Sequence, residues 1–114
     1  LEDADESNGC LIAIPGGHGG PLRQRFLDRD GALALETLDD APYDTDRFVP
    51  LPARKGTIVV LHGLLPHGSA ANTSDRSRMA YTLHAIDGAA RWHPGNWIRR
   101  RPDDPFRGFG SGGG

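Results

Sequence analysis

"KGTIVVLHGLLPHGSAANTSDRSRMAYTLHAI", residues 55–86, is the stretch whose reading decides the fold. Two apolar runs flank a segment of small and polar residues. Thr57 to Leu61 are mostly β-branched, which suits a pleated strand, and Lys55-Gly56 turns the chain into it. In "RMAYTLHAI", residues 78–86, Arg78, Ala80, Thr82 and His84 fall on one face and Met79, Tyr81, Leu83 and Ala85 on the other, the period of two of a strand. "LLPHGSAANTSDRS" between them reads as a loop. This predicts strand, polar loop, strand.

The rest of the chain agrees with a turn-rich β protein. Sixteen glycines and nine prolines make up about 22% of the 114 residues, against roughly 12% in ordinary proteins. "CLIAI", residues 10–14, follows the turn signal Asn8-Gly9 and is stopped by "PGGHGG". "RQRFLDRDGALALE" predicts a hairpin around Asp30-Gly31, and Gly31 weakens a helical reading of the same residues. "FVPLP" looks extended, with two prolines that suit a sheet edge. No long helix is predicted. Short strands joined by Gly/Pro turns point to a sandwich, jelly roll or barrel. The tail "GFGSGGG", residues 108–114, is of low complexity and expected to be disordered.

Length and charge narrow the function classes. The chain has the size of one small domain. A net charge of −2 and a pI near 6.2 leave no basic footprint for nucleic acid; "RWHPGNWIRRR" is expected to be a solvated edge. Cys10 alone rules out an internal disulfide or a multi-cysteine metal site. No apolar run approaches the roughly 18 residues of a membrane helix, and no signal peptide is seen. The opening "LEDADESNGC" reads like the middle of a protein, so the chain is expected to be a fragment.

Several side chains could carry chemistry. His67 follows an apolar strand in a loop of small residues, where its ring could turn into a cavity and offer a neutral nitrogen to a metal. The plainer alternative is a loop histidine bonded to backbone. Ser69, two positions on, shares the His67 face in extended chain. Arg78 opens the next strand beside small neighbours and could take a carboxylate with two parallel hydrogen bonds; otherwise it is a surface arginine paired with Asp75 or another acid. His18 in "PGGHGG", His62 in "LHG", His84 and His93 are weaker candidates. Trp92 and Trp97 bracket a turn as packing anchors.

Taken together, "EDADESNGCLIAIPGGH", "VPLPARKGTIVVLHGLLPHGSAANTSDRSRMAYTLH" and "WHPGNW" resemble the C-terminal half of a phytanoyl-CoA dioxygenase family protein, nearest to the cytosolic-type members. The blocks cover roughly two-thirds of the chain, leaving out 19–48 and the tail. The resemblance implies an all-β fold, a partial double-stranded β-helix of the cupin-like jelly-roll kind, spanning 1–107. It implies an Fe(II)- and 2-oxoglutarate-dependent oxygenase, cytoplasmic, acting with molecular oxygen on a small-molecule or acyl-CoA substrate, with no nucleic-acid or membrane partner. By position, His67 matches the distal histidine of the two-histidine, one-carboxylate iron triad. Arg78 matches the arginine that takes the far carboxylate of 2-oxoglutarate, and Ser69 a serine that helps it.

The departures are equally specific. The family's other two ligands come from a His-x-Asp motif upstream of the "NGC" strand, and no His-x-Asp occurs here. The turn reads "PGGH" where "PGSH" is usual. The chain is therefore expected to carry half a site and to be inactive alone. Two other readings compete. "TIVVLHG" resembles the strand and HG element of α/β-hydrolases, but no Gly-x-Ser-x-Gly elbow follows. A non-catalytic cupin-like binding domain is the alternative to an oxygenase.

Overall fold

A computed structural model of the chain describes residues 2–109. Its strands are β1 (Leu11–Ala13), β2 (Gln24–Arg29), β3 (Ala32–Thr37), β4 (Val49–Leu51) and β5 (His67–Ser69), all pairing antiparallel. The expected all-β class is what is found: the helical elements among the described residues are two single 3-10 turns, Gly17–Gly19 and Thr45–Arg47. The chain divides into two compact units, residues 1–23 with 39–83, and residues 24–38 with 84 onward. Of the stretch expected to be a disordered tail, residues 110–114 lie outside the described residues.

The first unit is built on "CLIAI". β1 is the middle strand of the order β4-β1-β5. Ala13 lies opposite both Val49 and His67, and Leu11 opposite both Leu51 and Ser69. Cys10, Ala13 and Ile14 are buried. β4 carries Pro50 and forms an edge, as its missing N–H requires.

Asn8-Gly9 does more than turn the chain. The Asn8 side chain is 1% exposed. Its Oδ1 accepts the Asp5 N–H at 2.7 Å, and its Nδ2 donates to the carbonyls of Asp3 (2.9 Å) and Ser77 (3.3 Å). Gly9 has φ +78°, and a Cβ there would stand 2.7 Å from the Ala70 carbonyl oxygen. Only glycine allows both this backbone and this approach.

The second unit holds the hairpin expected around Asp30-Gly31. β2 and β3 pair from Gln24↔Thr37 to Arg29↔Ala32, and both turn residues have positive φ, 55° and 87°, as a two-residue type I′ turn demands. Asp28 Oδ1 accepts the Gly31 N–H at 2.7 Å. Arg25 and Arg29 flank Glu36, and Arg25 above all holds that carboxyl below its usual range. Leu27 is buried, and Trp97 meets Phe26 edge-on at 5.9 Å.

Three expectations fail, for one reason. Residues 57–61 and 78–86 are not strands, and β5 lies inside the stretch read as a loop. Ile58 and Val60 are 86% and 88% exposed. β-Branching favours extended backbone, but a strand persists only where its N–H and C=O groups find a partner. Among the described residues neither segment pairs with another strand. His67–Ser69 does, because the free edge of β1 lies beside it and the Ile14 N–H continues the ladder to the Pro66 carbonyl at 3.1 Å. Lys55-Gly56 still turns the chain: Gly56 has φ +88° and Thr57 N–H donates to Arg54 at 3.0 Å.

Candidate functional site

The site is built outward from β5. Alternation puts His67 and Ser69 on one face of the strand, over Ala13 and Leu11 of β1, with Gly68 turned the other way opposite Ile12. Both side chains are exposed on the sheet. This differs from the loop position expected for His67. The strand aims its ring better than a loop would.

His67 also has the backbone bond that the plainer reading expected, and that bond decides its chemistry. Nδ1 lies 2.8 Å from the Leu65 carbonyl oxygen. A carbonyl only accepts, so Nδ1 carries the proton and the lone pair of the neutral ring sits on Nε2. Metal-binding imidazoles commonly have this arrangement, one nitrogen anchored by an N–H bond and the other open. His67 could thus offer Nε2 to a metal.

Arg78 is brought to the same strand face. Its Nη2 donates to Ser69 Oγ at 3.2 Å across the 70–77 loop. The side chain is half-buried, and no carboxylate pairs with it among the described residues. The expected surface pairing with Asp75 is not formed. A guanidinium held by a hydroxyl and lacking a carboxylate keeps donors for an incoming anion.

The loop between Ser69 and Arg78 is clamped by the acidic N-terminal segment, a role the sequence reading missed. Thr73 N–H donates to the Ser7 carbonyl at 2.9 Å, and Ser77 Oγ to Glu2 Oε2 at 2.6 Å. Arg76 Nη2 reaches Asp5 Oδ2 at 2.7 Å and Ser7 Oγ at 3.1 Å. The Ser7 hydroxyl, then Arg76 and two backbone N–H groups, hold the Asp5 carboxyl far below the usual carboxylate range, and Asp5 in turn raises Arg76. Asp3 Oδ1 accepts the Lys55 N–H at 2.6 Å. The sequence signal for this frame was alternation of acids with Ser and Asn in "EDADESN", which is as common on solvated surfaces.

The remaining candidates are placed as follows. The rings of His18 and His62 lie 5.2 Å apart, tilted by 50°. His84 stands in the unpaired segment, so it has no strand face to share with Arg78. His93 Nδ1 accepts the Gly95 N–H at 3.0 Å, closing the turn between Trp92 and Trp97. Trp92 packs on Phe106 at 4.8 Å. In the second unit, Trp92, Phe106 and Arg99 to Arg101 line an open pocket of about 520 Å³. Its three arginines already hold Asp28, Asp104 and Asp103, so it lacks an uncommitted cation. Among the described residues no group of three or more His, Cys, Asp or Glu could hold a metal ion together. His67 is thus a lone candidate ligand among them, not part of a complete centre.

The family model for phytanoyl-CoA dioxygenase matches residues 1–80. The chain is 41% identical over 110 residues to phytanoyl-CoA dioxygenase domain-containing protein 1 of Mus musculus, covering 93% of this chain and 38% of that protein. It is 44% identical over 111 residues to phytanoyl-CoA dioxygenase 1 of Oryza sativa subsp. japonica, with the same coverage. With the Caenorhabditis elegans homolog of the domain-containing protein it shares 35% over 113 residues, 93% of this chain and 39% of the relative. The chain thus spans about two-fifths of the length of these relatives. The likeness runs through 19–48, which the sequence blocks had left out.

Proposed function

This chain belongs to the phytanoyl-CoA dioxygenase family, and we propose that its parent protein is an Fe(II)- and 2-oxoglutarate-dependent oxygenase, of which this chain forms one wall of the active site. The substrate class is a small molecule or an acyl-CoA. The three-stranded sheet is then part of a cupin-like jelly roll over residues 1–107, and the cytoplasmic location implied by the resemblance goes with the same reading.

The supporting observation is the division of labour on β5. His67 is anchored through Nδ1 and open at Nε2, where it would hold the iron. Arg78, oriented by Ser69, would take the far carboxylate of 2-oxoglutarate. That carboxylate is costly to bury unpaired, and a guanidinium meets it with two charge-assisted bonds. When bound, iron and 2-oxoglutarate would supply, together with molecular oxygen, the hydroxylation of a C–H bond, one oxygen atom entering the product and the other the succinate left when the co-substrate loses carbon dioxide. The protein supplies position and a dry pocket. The reading assigns the remaining iron ligands, a His-x-Asp pair by the family pattern, to the parent outside this chain.

Anaerobic titration of the parent with Fe(II) and then 2-oxoglutarate tests the proposal. A metal-to-ligand charge-transfer band is expected, lost in His67→Ala. A well-folded parent that develops no band overturns the oxygenase and leaves a non-catalytic cupin-like binding domain.

A further inference from the structure

His62 and His67 are joined by a short chain of hydrogen bonds. His62 Nδ1 accepts the Leu64 N–H at 3.1 Å, and the His62 carbonyl accepts the Leu65 N–H at 2.9 Å. Residues 62–65 thus form a turn closed once by the side chain and once by the backbone. The turn delivers the Leu65 carbonyl, which accepts from His67 Nδ1 at 2.8 Å.

The two imidazoles therefore need opposite tautomers. The Leu64 N–H demands a lone pair on Nδ1 of His62, so its proton sits on Nε2 when the ring is neutral. The Leu65 carbonyl demands a proton on Nδ1 of His67.

The surroundings leave this turn little freedom. The His18 ring packs against that of His62. Leu65 precedes Pro66, which restricts it to extended backbone. Pro66 is held in turn by Ile14 N–H at 3.1 Å, and a Cβ on Gly17 would stand only 2.8 Å from its ring. The Leu64 N–H bond to His62 is the side-chain contact that closes the remaining end. His93 makes the same local bond to Gly95, but no histidine follows it in the sequence. His62 differs because its turn presents the acceptor for the candidate ligand.

We infer that His62 is a positioning residue for His67: by closing the 62–65 turn it holds the Leu65 carbonyl where it selects the Nδ1–H tautomer and leaves Nε2 open to metal. The role toward metal rests on the oxygenase reading. The role in selecting the tautomer does not.

The test uses the parent protein with His62→Leu and His62→Asn. Asn Oδ1 can accept the N–H two residues on, as in an Asx turn, whereas Leu cannot. Ring 15N shifts of metal-free protein report the His67 tautomer, and Co(II) calorimetry reports ligation. Wild type and His62→Asn should show one Nδ1–H tautomer of His67, and His62→Leu a mixture. Co(II) affinity should fall roughly ten- to 100-fold in His62→Leu, the usual cost of losing an outer-shell partner, and return in His62→Asn. If His62→Leu does not fold, His62→Gln takes its place, polar but one methylene too long to close the same turn. An unchanged tautomer in the Leu or Gln variant, or an Asn variant as impaired as they are, overturns the inference. A parent that binds no Co(II) overturns the oxygenase reading instead, and the 15N shifts still decide the positioning role.

Discussion

Arg78 Nη2 donates to Ser69 Oγ at 3.2 Å, and Ser69 lies on the same face of β5 as His67. This bond brings the cation to the strand face that carries the imidazole, across a loop that the sequence leaves open. It also ranks the residues. Arg78 supplies the charge, and Ser69 directs it.

Under the proposed function, Arg78→Lys in the parent is expected to weaken 2-oxoglutarate binding although the charge is kept. One charge-assisted bond is worth about 1.5–3 kcal/mol, so the loss should be on the order of ten- to 100-fold in the 2-oxoglutarate titration. Ser69→Ala leaves the guanidinium and its charge in place and removes only a group that orients it, so it should cost less, several-fold. Equal losses for the two variants would contradict the ranking.

Asp5 predicts an acid dependence. Its folded-state carboxyl lies below the unfolded value, through Ser7 first and then Arg76. The folded state thus favours the ionised form. The stabilisation is fully present above about pH 4, the ordinary Asp range, and is lost as pH falls below it. Chemical denaturation of wild type and Asp5→Asn across pH 2 to 7 should show the variant less stable near neutrality and the two converging in acid. A constant gap would remove Asp5 from the clamp.

Gly9→Ala should destabilise by more than about 1 kcal/mol, because it adds positive-φ strain to a contact of 2.7 Å with the Ala70 oxygen. Asn8→Ala should cost about 1–3 kcal/mol, leaving the Asp5 N–H and the Asp3 and Ser77 carbonyls without this partner. Urea unfolding reads both. A neutral Asn8→Ala would mean that the Ser77 tie does not hold the Arg78 end of the loop.

Ile58 to Leu61 and Met79 to Leu83 make no strand pairing among the described residues. Under the jelly-roll proposal they are strands in the parent. Amide hydrogen exchange should then be fast at these positions in this chain and markedly slower in the parent. Fast exchange in both would contradict the proposed fold.

Local chemistry made much of this protein legible in its sequence. Asp30-Gly31 specified a hairpin because few residues other than glycine and Asn/Asp accept positive φ. Pro50 marked an edge because it lacks an N–H. The all-β class followed from the density of turn residues. His67, Ser69 and Arg78 were found by resemblance in order and spacing, and alternation already put the first two on one face.

Tertiary structure decided everything that needs a partner. "TIVVL" and "MAYTL" have the side chains of strands, yet His67–Ser69, read as loop, is the segment that pairs, because hydrogen bonding to β1 outweighs intrinsic preference. The His67 tautomer depends on a carbonyl two residues back, whose direction no spacing rule conveys. The roles of Asn8 and Asp5 likewise exist only once residues 73–77 come within hydrogen-bond distance of Asp5 to Asn8. Sequence specifies what each backbone prefers and each side chain can do, and folding alone sets the distances at which those groups act.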